Sequence, residues 1–125
     1  MLLSESMEDY LEAIFEIEKS RRVVRVRDVA NELGVTMPSV NGALKQLEAK
    51  GFISHQKYEY IELTAAGVSK ASKISKKHKT IYKFLRDILG VDEKTAQQEA
   101  CKIEHDLSPG TLVKISDFVK NNSDK

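Results

Sequence analysis

The sequence predicts a mainly α-helical chain, with an N-terminal winged helix-turn-helix carrying a two-stranded wing and an α-helical second half. Three observations carry that reading. Two short amphipathic segments meet at Gly34-Val35, two β-rich tetrapeptides follow Gly51, and helical periodicity resumes at Thr64 and persists almost to the end. A chain of 125 residues has room for one compact domain or two small lobes. The change of pattern divides it into 1–68, a DNA-reading unit, and 69–125, a helical unit.

The first helix spans 6–19, where Tyr10, Leu11, Ile14, Phe15 and Ile17 recur at three- and four-residue spacings among acids. The run Arg21-Arg22-Val23-Val24-Arg25-Val26 is too short and too charged for a buried helix, and it leads to a second helix over 27–33 that Gly34 terminates. Thr36 caps a third helix, which tolerates Pro38 in its first turn and carries the apolar stripe Val40, Ala43, Leu44 and Leu47 as far as Lys50-Gly51. Helix two, the tight turn and helix three make the helix-turn-helix. Residues 52–55 and 60–63, joined across 56–59, form the wing.

Thr64 caps a long helix over 65–89, whose Lys70, Lys73, Lys76, Lys77, Lys79 and Lys83 form a solvated face that Gly90 stops. Asp92 opens a fifth helix through about 106. Ser108-Pro109 begins a sixth, carrying Leu112, Ile115 and Val119 before a polar tail over 121–125.

Composition narrows the function. Net charge is +1, but 5–18 holds six acids and no base, whereas 19–63 holds eight Lys/Arg against five acids. Positive charge sits where the helix-turn-helix is expected. A single cysteine excludes an intramolecular disulfide, and no apolar run approaches the ~20 residues that cross a bilayer. The expectation is a cytoplasmic protein with no membrane partner and no small-molecule substrate.

A recognition helix of this length can enter a major groove with its N-terminal turns, presenting Thr36, Pro38, Ser39, Asn41, Lys45 and Gln46 to bases or phosphates. Asn41 is the most informative, because asparagine binds adenine bidentately. Lys57 and Tyr58 at the wing tip are further DNA candidates, although Glu59 beside them repels phosphate. Gly42 offers no side chain and costs about 1 kcal/mol of helix propensity relative to alanine. A packing unit used only for protein contacts is the duller reading of the same helices.

The second constellation lies near the C-terminal end. Cys101, Glu104 and His105 are spaced i, i+3 and i+4, which puts a thiolate, a carboxylate and an imidazole on one helix face. Asp9 and Glu12 repeat the i, i+3 spacing on the first helix, and His78 lies on the fourth. Such groups offer lone pairs to a divalent transition metal. Each has a duller explanation alone: a cysteine as a small buried hydrophobe, acids and histidines on solvated faces. The set is harder to dismiss than its members.

Ser6-Met7-Glu8-Asp9-Tyr10-Leu11-Glu12-Ala13-Ile14-Phe15-Glu16-Ile17, Val35-Thr36-Met37-Pro38-Ser39-Val40 and Ile103-Glu104-His105-Asp106-Leu107-Ser108 closely resemble the DtxR/MntR family of metal-dependent transcriptional repressors. The resemblance runs from about residue 5 to residue 120. It implies a winged helix followed by a helical metal-binding and dimerisation domain, a homodimer on a palindromic operator in double-stranded DNA, and a short form lacking the C-terminal SH3-like domain. It assigns Asp9, Glu12, His78, Glu104 and His105 to ligand positions of the manganese-responsive branch. Cys101 departs from that branch, which has glutamate there, and matches the iron-responsive one. Tyr82 and Gln97 stand where an acid or histidine supports an ancillary iron-type site, and Glu59-Tyr60 replaces the usual Arg-Gly of the wing.

The expected function is a metal-dependent repressor of metal-ion homeostasis, with the metal as co-repressor bridging the two halves. A thiolate among carboxylates and imidazoles favours Fe(II), with Mn(II) second and Co(II), Ni(II) or Zn(II) as substitutes. Two alternatives are a metal-independent winged-helix regulator with a remnant site and, from another class, a metalloenzyme whose Glu and His activate water. The donors leave no separate base or substrate pocket, so a regulator rather than an enzyme is expected. A metal-buffering or protein-interaction module is the last alternative, distinguished by a lack of sequence preference on DNA.

Overall fold

The computed structural model describes residues 3–21, 23–55 and 60–122. It divides into two compact units, Met1–Lys73 and Ile74–Lys125. Each has its own apolar interior.

In the first unit, α1 (Glu5–Arg21) packs on α2 (Val26–Leu33) and α3 (Met37–Ala49). Leu11 and Ile14 of α1, Val29 of α2 and Val40, Leu44 and Leu47 of α3 are buried, so the stripe expected on α3 is a core face, as is that on α1 except for the half-buried Phe15. Asp28 reaches back to accept the backbone N–H of Arg25 at 3.0 Å, which fixes the start of α2. Gly34 ends it at φ +66°, a left-handed conformation that glycine adopts without steric cost, and the chain turns directly into α3. Thr36 Oγ1 accepts the N–H of Ser39 at 3.2 Å, the expected N-cap of α3, with Pro38 in the first turn.

The sheet departs from expectation by one strand. Strands β2 (Ile53–His55) and β3 (Tyr60–Leu63) pair antiparallel as the wing. A third strand, β1 (Val24–Arg25), pairs with the other edge of β3, Val24 opposite Ile61 and Arg25 opposite Tyr60. Two residues are too few to show a period-two pattern, and their pairing partner lies far along the chain. The expected connection over 56–59 lies outside the described residues, and Lys57, Tyr58 and Glu59 with it.

Helix α4 (Ala65–Lys83) begins in the first unit and ends in the second. Thr64 caps it, its Oγ1 accepting the N–H of Gly67 at 3.0 Å and donating to the Gly51 carbonyl at 2.6 Å. The stretch expected to end as α-helix at 89 closes instead in a π-helical turn, Phe84–Ile88, where the Leu89 N–H reaches back five residues to the Phe84 carbonyl at 3.1 Å. Gly90, at φ +74°, then turns the chain.

In the second unit, α5 (Glu93–Ile103) and α6 (Pro109–Asn122) pack against that π-helical turn. Ile81, Leu85, Ala96 and Ala100 form the core, flanked by Tyr82, Phe84, Ile103, Leu107 and Leu112. Asp92 caps α5 by accepting the Thr95 N–H at 3.1 Å. That hydrogen-bonded partnership with Thr95 holds the Asp92 carboxyl below its ordinary range. Helix α5 ends three residues before the expected 106. Helix α6 overruns the expected polar tail by two residues, since Asn122 Nδ2 donates to the Phe118 carbonyl at 2.8 Å and extends the last turn.

Candidate metal centre and DNA-binding face

The second unit gathers four of the six candidate metal donors. Glu104 is the C-cap of α5, and its N–H still bonds the Ala100 carbonyl at 3.0 Å, so the helical path runs through it although the helix proper ends at Ile103. Cys101, one turn earlier, and His105, next along, therefore share its neighbourhood: Sγ, a carboxylate oxygen and an imidazole nitrogen lie within 4.8 Å of one another. His105 Nε2 is 3.7 Å from Glu104 Oε1, and from α4 His78 Nδ1 is 3.4 Å from Glu104 Oε2.

Glu104 is the anomaly of the second unit. It is 1 % exposed, and neither carboxylate oxygen makes a hydrogen bond to the described residues. Removing a carboxylate from water without such bonds costs several kcal/mol, as an order of magnitude. Imidazole nitrogens and a thiol crowd it instead. That donor chemistry fits a divalent cation, whose charge would compensate a buried carboxylate. His78 is oriented from its far side, with Nε2 2.7 Å from Gln97 Oε1.

Asp9 and Glu12 lie in the first unit, one turn apart on α1 and both half-buried. Their helix is held to the DNA-reading half by Leu11 and Ile14.

Helix α3 turns Met37, Pro38, Ser39, Asn41, Gly42, Lys45 and Gln46 to solvent while its other face is core. Thr36 is exposed as well, but it is committed to the cap, where its hydroxyl also donates to Ser39 Oγ at 2.9 Å. The C-terminal end of the helix is tied to the wing, because Glu48 Oε2 accepts the backbone N–H of His55 at 3.3 Å. Asn41 and Met37 share a shallow hollow of about 390 Å³ with Arg25, Val26 and Arg27.

The chain matches two family models in succession. Residues 2–61 match the N-terminal DNA-binding domain of the iron-dependent repressors, and residues 64–124 their metal-binding and dimerisation domain. It is 40% identical over 124 residues to an uncharacterised HTH-type transcriptional regulator of Methanocaldococcus jannaschii, covering 98% of this chain and 99% of that one. The HTH-type transcriptional regulator MntR of Bacillus subtilis is 33% identical over 115 residues, covering 92% of this chain and 80% of that one. The chain belongs to the DtxR/MntR family of iron-dependent repressors.

Relatives of this chain within the family are transcriptional regulators, not enzymes. Among solved structures, the manganese regulator SloR superposes with a TM-score of 0.81 at 26% identity, over 96% of this chain and 55% of that one. The metal-dependent transcriptional regulator MtsR does so with a TM-score of 0.84 at 27% identity, over 91% and 53%. The chain thus spans about half the length of these two solved proteins. The mainly helical fold with an N-terminal winged helix-turn-helix is the DtxR/MntR fold.

Two residues escaped the sequence reading of this DtxR/MntR chain. Arg25, the last residue of β1, and Arg27, in the first turn of α2, line the hollow beside the exposed face of α3, and the Arg25 guanidinium lies 5.6 Å from the centre of the Tyr60 ring. The excess of basic residues over 19–63 was the available signal. What it lacked was β1, which places these arginines next to Asn41. No described helix is long and apolar enough to cross a membrane.

Proposed function

We propose that the chain is a cytoplasmic, metal-activated repressor of metal-ion homeostasis, binding a palindromic operator as a homodimer, with residues 1–68 reading DNA and 69–125 binding metal and dimerising. The observation that carries this is Glu104, a carboxylate buried to 1 % exposure without hydrogen bonds among the described residues and surrounded by the donors Cys101, His105 and His78. In this reading those four hold a divalent cation from the second unit, and Asp9 and Glu12 complete its coordination from α1. The cation supplies the positive charge that the buried carboxylate needs.

Helix α1 is packed on α2 and α3. In this reading a cation held by donors from both α1 and α5 ties the reading head to the dimerising half. In a symmetric dimer the two recognition helices must meet major grooves ~34 Å apart or a multiple of it. Ligand binding favours that spacing to the extent of its differential affinity for it. Thr36, Pro38, Ser39, Asn41 and Lys45 of the recognition helix meet the groove, joined by Lys57 and Tyr58 of the wing and by Arg25 and Arg27.

Cys101 sets the choice of metal. A thiolate among oxygen and nitrogen donors favours Fe(II) over Mn(II), and Co(II) would show the thiolate as a charge-transfer band. A mobility-shift titration with and without chelator tests the reading: chelation should weaken operator affinity at least tenfold without unfolding the protein. Equal affinity in both would sink it.

A further inference from the structure

The contact between His78 and Gln97 points to a role outside the ligand set. Gln97 lies on α5 four residues before Cys101 and seven before Glu104, so the three share one helix face. Its Oε1 is 2.7 Å from His78 Nε2. A carbonyl oxygen only accepts, so Nε2 carries the proton. A neutral imidazole protonated there keeps its lone pair on Nδ1, which is the nitrogen 3.4 Å from Glu104 Oε2. The lone pair and the carboxylate then face one point from two sides.

We propose that Gln97 is a positioning residue for the metal centre: it fixes His78 as the Nε2–H tautomer, in the ring orientation that presents Nδ1 to a divalent cation beside Glu104. The proposal rests on the metal-binding reading above. It also gives position 97 a use other than ligation. The resemblance puts an acid or histidine of the iron-type proteins at this position to support an ancillary ion; glutamine replaces it here, and its amide oxygen is engaged by His78. A hydrogen bond to the far nitrogen of a ligating histidine is a recurrent way to hold ring and tautomer, and its loss weakens metal binding by roughly 10- to 100-fold.

The test uses the full chain labelled with nitrogen-15. Long-range proton–nitrogen correlation spectra of the metal-free protein should show His78 as the Nε2–H tautomer, and Gln97→Leu or Gln97→Ala should show a mixture. Calorimetric titration with Mn(II) and with Co(II) should give affinities lower by about tenfold or more in both variants. Gln97→Glu, which retains an acceptor oxygen, should restore the tautomer. Because Gln97 is exposed, these variants should fold, which circular dichroism checks. Wild-type protein that binds both ions while the variants keep tautomer and affinity would overturn the proposal alone. Wild-type protein that binds neither ion would overturn the metal reading and the proposal together.

Discussion

His78 Nδ1 stands 3.4 Å from Glu104 Oε2 with no hydrogen bond between them, a spacing suited to sharing a cation when Nδ1 carries its lone pair. Because the Glu104 carboxylate is buried, its charge is a cost to the metal-free protein and an asset to the loaded one. Glu104→Gln should therefore fold at least as stably as wild type without metal, yet gain nothing from it. In wild type, metal at a hundred times its dissociation constant should add about 2.7 kcal/mol. Denaturant melts with and without Mn(II) or Co(II) decide the matter, and equal metal stabilisation of both proteins would count against Glu104 as a ligand.

Gly42 is exposed on the recognition helix, and a Cβ there would meet nothing within 4 Å. Packing does not require glycine. Gly42→Ala should raise stability by about 1 kcal/mol, seen as a higher urea midpoint. If the bare backbone lets the helix approach a groove closely, the same variant should bind operator DNA more weakly in a mobility-shift assay.

Gly67 presents the opposite case. A Cβ at this position would run into the backbone carbonyl oxygen of Phe52, which already accepts the Thr64 N–H at 3.0 Å and cannot withdraw without loosening the end of the wing. Gly67→Ala should cost about 1–3 kcal/mol, the range of overpacking elsewhere. A thermal melt unchanged from wild type would contradict it.

Thr36 combines a structural and a DNA-facing role, and two substitutions separate them. Thr36→Ala removes the cap and should cost about 1 kcal/mol. Thr36→Asp keeps a capping oxygen, so stability should hold while its charge repels phosphate and operator affinity falls. Equal operator affinity in the Asp variant would confine Thr36 to capping.

Asp92 predicts a pH dependence. Its hydrogen bonds with Thr95 lower its folded pKa below the ordinary 3.8. The stability it contributes is therefore complete above that value and is lost as pH falls through the folded pKa. Asp92→Asn, which caps without titrating, should flatten this part of the acid limb of a stability–pH curve. An identical acid limb in both proteins would refute the assignment.

Local rules read much of this molecule. The spacing of Val40, Leu44 and Leu47, the Thr36, Thr64 and Asp92 caps and the Gly34 stop all depend on residues within four or five positions, where helix geometry is fixed. The same geometry makes neighbours of Cys101, Glu104 and His105. Local rules failed at β1, whose two residues acquire strand character only from Ile61 and Tyr60, and at the π-helical turn, whose apolar spacing differs little from that of an α-helix.

The sequence by itself therefore determined the order of the six α-helices and the two wing strands, the core stripe of α3, the family and the donor types, because each is written in short-range spacing or residue chemistry. Only tertiary structure decided that His78 presents Nδ1 to Glu104 while Gln97 holds Nε2, and that Arg25 and Arg27 lie beside Asn41. Those relationships join α4 to α5, and β1 to α3. They depend on how elements distant in the chain pack against one another, which no helical period or cap encodes.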